Sequence, residues 1–126
     1  MDNLTSGGAI AMNLHPGGAG HSGPQWGHES EDLNVTLLSW PRGHTIAEHL
    51  NSEVDVVIVA VWGEAEITVD DELHRLATGT ALLIPKGARR AVSAISDFSY
   101  LSIHRRRRGL MPSFASSKVR PNNGVL

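Results

Sequence analysis

The side chains that could do chemistry in this chain are histidines, carboxylates and one arginine that follows a turn. His49 lies close in sequence to Glu53 and Asp55, and His104 directly precedes a run of arginines. Imidazole and carboxylate are the ligands that divalent transition metals take in proteins, so these residues are candidates for metal binding. Arg90 carries a fixed positive charge and is suited instead to a carboxylate or a phosphate.

Nucleophilic catalysis has little support in the sequence. The chain contains no cysteine, which excludes a thiolate nucleophile and any disulfide bond. It also lacks a Gly-x-Ser-x-Gly segment and a glycine-rich loop ahead of a helix. Neither a serine hydrolase nor a phosphate-loop enzyme is therefore predicted.

The charges are unevenly distributed along the 126 residues, although the net charge is only -2. Nearly all acidic residues precede Leu73, and most basic residues follow it, which in an antiparallel sheet favours cross-strand ion pairs. The arginine run at 105–108 raises nucleic-acid binding as an alternative, but a wide basic face and stacking aromatics are missing. We expect no nucleic-acid partner. The run is predicted to be a solvated strand end or to contact an acidic patch, such as 29–32, on another subunit.

Short apolar or alternating segments are separated by turn signals about every eight to twelve residues, which predicts an antiparallel all-β sandwich or barrel. Segment 54–61 is almost wholly apolar and is expected to be buried on both faces. No helix is predicted. The predicted strands are 33–40, 54–61, 64–69, 73–76, 81–84, 90–95 and 98–104.

The two ends of the chain differ from its middle. Residues 1–30 hold seven of the 13 glycines and are predicted to form an arm, either loose or laid against the barrel or a partner subunit. Residues 31–108 are predicted to form the barrel and 109–126 a tail. No segment has the length and apolarity needed to cross a bilayer, so a soluble, cytoplasmic protein without a membrane partner is expected.

Two residue patterns resemble those of the cupins. Gly79, Pro85 and Gly87 occupy the first three positions of one cupin pattern, and Arg90 stands where that pattern has a histidine. In the other pattern, anchored on Gly63, His49 fits the first histidine. Asn51 then replaces the second histidine and Val56 replaces the glutamate. The resemblance covers about residues 33–104.

The resemblance implies a double-stranded β-helix, a jelly-roll barrel of antiparallel strands around a ligand cavity. It also implies that His49, Asn51, Val56 and Arg90 line this cavity. Val56 cannot coordinate a metal and Arg90 would repel one, so the usual cupin metal site is expected to be absent unless other side chains compensate. A divalent transition metal held by His49, His104 and either Glu53 or Asp55 is the alternative.

Inside such a cavity, the Arg90 guanidinium needs a counter-charge, because an unpaired buried charge is costly. One candidate is an internal carboxylate, with Glu53 and Asp55 as the nearest choices. The other is the carboxylate or phosphate of a bound small molecule. The sequence interpretation slightly favours the internal pair.

The resulting prediction is a cupin-fold protein that binds a small molecule in its barrel, with no assignable reaction. The predicted ligand-binding residues are His49, Asn51, Arg90, Tyr100 and His104. One alternative is a metal-dependent isomerase or dioxygenase using His49 and His104, with Glu53 as the acidic metal ligand. Another is a non-catalytic sensory or oligomerising module. A homodimer is expected, since cupins commonly pair through sheet edges and terminal strands.

Overall fold

The computed structural model describes residues 8–15 and 21–107. These residues form nine strands and no helix. The strands are β1 (Gly23–Glu29), β2 (Leu33–Trp40), β3 (Thr45–Leu50), β4 (Val56–Trp62), β5 (Glu64–Val69), β6 (Glu72–Ala77), β7 (Ala81–Ile84), β8 (Arg89–Ala94) and β9 (Phe98–Arg105).

The strands form two antiparallel sheets that enclose one core. One sheet has five strands in the order β1-β2-β9-β4-β7, and the other has four in the order β3-β8-β5-β6. Strands distant in sequence are neighbours in space, as β2 and β9 are, which is the arrangement of a jelly roll. The predicted all-β antiparallel fold is confirmed.

The core follows the two-residue period of the strands. Val56, Ile58 and Ala60 of β4 are fully or nearly fully buried, while the intervening valines are only half-buried. The prediction that this segment is buried on both faces is therefore wrong, because its outer face is only partly covered. On β9 the inward row is Phe98, Tyr100, Ser102 and His104, all of them buried.

Two turns explain residues that stood out in the sequence. Asp70 and Asp71 both have positive φ angles, 49° and 71°, and form the tight turn from β5 to β6. Gly63 has a φ of 80°, and a Cβ atom added there would lie 1.9 Å from the carbonyl oxygen of Asp97. Glycine is thus required at position 63 both by its backbone conformation and by this close approach.

The arm predicted over residues 1–30 ends in a strand. Its last part is β1, which pairs with β2 and extends the five-stranded sheet. The predicted tail, 109–126, and Arg108 lie outside the described residues. No membrane-spanning helix is found in the described part of the chain.

Candidate functional site

The candidate site lies where β3 and β8 pair, at the end of the barrel that we call the arginine end and define by His49, Asn51, Arg90 and His104. Ile46 pairs with Val92, but the next pair is His49 with Arg90. This is three steps along β3 against two along β8, which is a β-bulge. Regular pairing would have placed Glu48 opposite Arg90. The bulge puts an imidazole there in place of a carboxylate.

Glu48 binds a different arginine on the outside of the barrel. Its Oε2 atom lies 3.4 Å from Nη1 of Arg89, which also contacts Asp70 and Asp71 through Nε and Nη2. These carboxylates raise the pKa of Arg89, with Asp71 as the largest contributor. The two adjacent arginines therefore differ: Arg89 is exposed and surrounded by carboxylates, whereas Arg90 points inward.

Arg90 is a buried charge without a counter-charge among the described residues. Arg90 is only 1% exposed, and neither its Nε nor its Nη2 atom has a hydrogen-bond partner among residues 8–15 and 21–107. Burial lowers the pKa of Arg90, and the positive charge of nearby Arg107 lowers it further. Both effects disfavour the charged form of the Arg90 guanidinium.

The internal pair that the sequence favoured for Arg90 does not form. Glu53 is 2.9 Å from Nε of Arg107, measured from its Oε1 atom. Asp55 faces outward, where its Oδ1 atom accepts a hydrogen bond of 2.8 Å from the backbone N–H of Lys86. Both expected carboxylates are thus engaged elsewhere.

Asn51 presents a donor at the same end of the barrel. Its Oδ1 atom accepts hydrogen bonds from the backbone N–H groups of Glu53 and Val54, at 2.9 and 3.4 Å. Its carbonyl oxygen accepts one from the N–H of Gly87, which ties this loop to the turn before β8. Asn51 is 7% exposed, and its Nδ2 atom is buried without a partner in the part of the chain that the structure describes. The side chain is therefore held in place with its amide donors unused.

The two candidate histidines come from different sheets. His49 lies on β3 and is half-buried, and its Nδ1 atom donates to the carbonyl oxygen of Ala47 at 3.0 Å. His104 lies on β9 opposite Val56, is 5% exposed, and donates from Nδ1 to the carbonyl oxygen of Arg105 at 2.9 Å. Burial is the main cause that lowers the pKa of His104, which is therefore neutral at pH 7 with Nε2 as an acceptor.

The donor set does not fit the metal that the fold family implies. Within residues 8–15 and 21–107, no three His, Asp or Glu side chains are grouped so that they could hold a metal ion. Glu53, the acidic member of the predicted set, binds Arg107 instead of joining His49 and His104. Val56 offers no ligand atom and Arg90 would repel a cation. The compensating site considered from the sequence is thus not assembled.

Tyr100 lies deeper in the core than the other predicted ligand-binding residues. It is fully buried, its Oη atom accepts a 3.3 Å hydrogen bond from Nε1 of Trp40, and its ring stacks on Phe98 at 5.2 Å. Burial raises its pKa well above the usual range. Ser102 lies between Tyr100 and His104 in the inward row, and its Oγ atom is buried and has no partner among the described residues. Strand parity on β9 could have identified Ser102 from the sequence.

The described arginines of the run, 105–107, make their contacts within the same chain, close to the arginine end. Arg105 donates to the carbonyl oxygen of Glu53 at 3.3 Å, and Nε of Arg106 lies 3.4 Å from Oε1 of Glu29. The backbone N–H of Arg106 also donates to the carbonyl oxygen of Asp32. The acidic patch expected on another subunit is thus contacted in the same chain. Arg107 was not singled out in the sequence, where the run looked like a solvated strand end.

The opposite end of the barrel, which we call the tryptophan end and define by Trp40, Trp62 and Phe98, carries an open cleft of about 480 Å³. Two of its polar side chains accept hydrogen bonds from the backbone. Asp97 accepts from the backbone N–H of Arg42 at 2.9 Å, and Ser96 accepts from that of Glu64 at 3.0 Å. This cleft is open to solvent, whereas the unpaired donors of the arginine end are buried.

Solved structures resemble this chain over its barrel. A conserved protein of unknown function from Streptococcus pyogenes is 30% identical, with 64% of this chain and 70% of that chain covered and a TM-score of 0.57. A cupin superfamily protein from Desulfitobacterium hafniense is 25% identical, with 64% and 72% covered and a TM-score of 0.57. An RmlC-like cupin from Desulfovibrio desulfuricans is also 25% identical, with 62% and 76% covered and a TM-score of 0.56. No family model and no curated protein matches the chain.

Proposed function

Because this chain belongs to the cupins and has their RmlC-like jelly-roll fold, we propose that it binds a small anionic molecule at the arginine end of its barrel. The observation that carries the proposal is the buried Arg90 guanidinium, which no carboxylate of the described residues neutralises. A charge removed from water without a partner costs several kcal/mol, on the order of 3–5 when one member of a buried pair is missing. An anion in contact with Arg90 would offset that cost.

The surrounding groups suit an anion better than a cation. Arg107 adds a second positive charge near Arg90, and Asn51 contributes unused amide donors. Ser102 supplies a hydroxyl, and neutral His104 supplies an acceptor for a hydroxyl group of the ligand. In this proposal, the positive charges and N–H donors of the protein contact the anionic group of the ligand. The rest of the ligand makes weaker polar contacts.

The test is calorimetric titration and thermal shift of the purified protein with acetate, lactate, pyruvate, inorganic phosphate and glucose. We expect saturable binding of at least one anion and none of glucose. Arg90→Ala should abolish binding, whereas Arg89→Ala, a matched change to an exposed neighbour, should leave it unchanged. The proposal is wrong if every anion fails at millimolar concentration, a result that would favour the non-catalytic module.

The homodimer and the cytoplasmic location stay predictions. A scattering mass equal to one chain at micromolar concentration would contradict the dimer.

A further inference from the structure

Resting on the proposed function, we infer that the anionic group of the ligand is a carboxylate, bound by the Nε and Nη2 atoms of Arg90, and that the ligand is a monoanion. The two atoms without a protein partner are the informative detail. In a planar guanidinium, the N–H bonds of Nε and Nη2 on their shared side run parallel. They match the two oxygens of a carboxylate in a bidentate contact.

The position of Arg90 restricts how the ligand approaches. Arg90 lies on β8 between β3 and β5, where its register partners are His49 and Val69. Rigid strands on both sides therefore fix its backbone, and the residue is almost completely buried. A side chain held in this way selects by the geometry of the contact, because little rearrangement is available to fit a differently shaped anion.

The charges at this end favour a single negative charge on the ligand. Arg105 and Arg106 are exposed at the rim of this end, so the charges that reach into it are those of Arg90 and Arg107. Glu53 offsets one of these two positive charges through its contact with Arg107. His104 is neutral at pH 7. One positive charge is left, which a monocarboxylate neutralises. A phosphate dianion would leave a buried negative charge in excess.

The contact between Glu53 and Arg107 gives Arg107 and Arg90 different roles in the proposed site. Glu53 is mostly exposed, with 62% of its side chain accessible, whereas 21% of the Arg107 side chain is accessible. Glu53 thus offsets the charge of Arg107 from the solvent side of the site, and the charge left without a counter-charge is that of Arg90. Nη2 of Arg107 is likewise buried without a hydrogen-bond partner among the described residues. Asn51 adds N–H donors for an oxygen atom on the ligand, so a hydroxy- or oxo-monocarboxylate fits best.

The decisive variant keeps the charge but removes the planar fork: Arg90→Lys. Titrations with acetate, lactate and pyruvate are compared with phosphate and succinate. We expect the wild-type protein to prefer monocarboxylates, and Arg90→Lys to weaken them about tenfold or more. Circular dichroism and denaturant unfolding establish that the variant is folded.

A second measurement needs no variant. In the unmodified protein labelled with ¹⁵N, addition of lactate should shift the Arg90 Nε–H resonance, while its methyl ester should not.

The outcomes separate the two proposals. If Arg90→Lys binds monocarboxylates within about twofold of wild type, or if phosphate binds more tightly, the bidentate monocarboxylate is wrong and the anion site remains. If the Nε–H resonance does not move on saturation with lactate, the assigned contact is wrong. If no anion binds at all, both proposals fail together.

Discussion

The two ends of the barrel are built on the same two sheets but differ in how their polar groups are satisfied. At the tryptophan end, the Tyr100 hydroxyl is bonded to Trp40, and Ser96 and Asp97 are bonded to backbone N–H groups. At the arginine end, donor atoms of Asn51 and Arg90 are buried without partners. Satisfied polar groups stabilise a fold, and unsatisfied ones lower its stability. The polar groups of one end are thus satisfied within the barrel, and the other end carries the unpaired donors on which the proposed ligand binding rests.

The largest expected effect tests the tryptophan end. Gly63→Ala forces alanine into a positive φ angle and places its Cβ against the backbone oxygen of Asp97. We expect a loss of about 4 kcal/mol in the free energy of unfolding, measured by urea denaturation. The matched control is Gly79→Ala, where φ is 93° but nothing lies within 4 Å of the added atom. It should lose only about 1 kcal/mol. Equal losses would mean that the close approach is not important.

The next effect has the opposite sign and tests the arginine end. Arg90→Met replaces an unpaired buried charge with an apolar chain of similar length. The free energy of unfolding should therefore increase, by about 2 kcal/mol, while anion binding disappears. Denaturant unfolding without added anion gives the first value and calorimetry the second. A variant that is clearly less stable would show that Arg90 contributes to the fold and would remove the contrast between the two ends.

The third prediction concerns pH. Burial lowers the pKa of His104 in the folded state, so the unfolded chain takes up a proton first as pH falls below about 6.5. The folded protein should therefore lose stability from about pH 6.5 down to the lowered pKa, with a slope of at most ~1.4 kcal/mol per pH unit. His104→Gln should reduce this slope when unfolding is followed between pH 7 and pH 5. An unchanged slope would mean that a group other than His104 causes the loss of stability.

The smallest expected effect refines the arginine end. Glu53→Gln removes the counter-charge of Arg107 but keeps its size. The free energy of unfolding should decrease by only about 0.5–1 kcal/mol, since the Glu53 carboxylate is mostly exposed. The ligand preference should shift from monoanions toward phosphate and succinate, because two arginines then face the ligand. Titration of both classes of anion measures the shift. An unaltered preference would show that Glu53 does not set the charge of the site.

Much of the fold could be predicted because the strands that build the core carry their pattern in sequence. Segments 33–40, 64–69 and 81–84 coincide with β2, β5 and β7. β1 and β3 were missed for different reasons. β1 contains two glycines and a proline, which locally indicate a loop. β3 is mostly exposed, so it lacks the apolar alternation that marks a strand. Both are formed by pairing with neighbours distant in the chain.

The candidate site could be predicted only in part. The resemblance to the cupin patterns brought Arg90 and His49 to attention, but the counter-charge slightly favoured for Arg90 was wrong. The pairing of Arg107 with Glu53 depends on where β9 ends relative to the loop after Asn51, which is a tertiary feature. The bulge after Ile46 is likewise fixed by the register of β3 against β8 and has no glycine or other local marker in the sequence.

The extra residue of that bulge decides whether a carboxylate lies opposite Arg90. If β3 were one residue shorter, regular pairing would bring the Glu48 carboxylate to the Arg90 guanidinium, and the barrel would neutralise itself. The extra residue turns Glu48 outward to Arg89 and leaves the buried Arg90 cation without a carboxylate partner among the described residues. One additional backbone unit in β3 thus separates a self-neutralised interior from one that carries an unpaired positive charge.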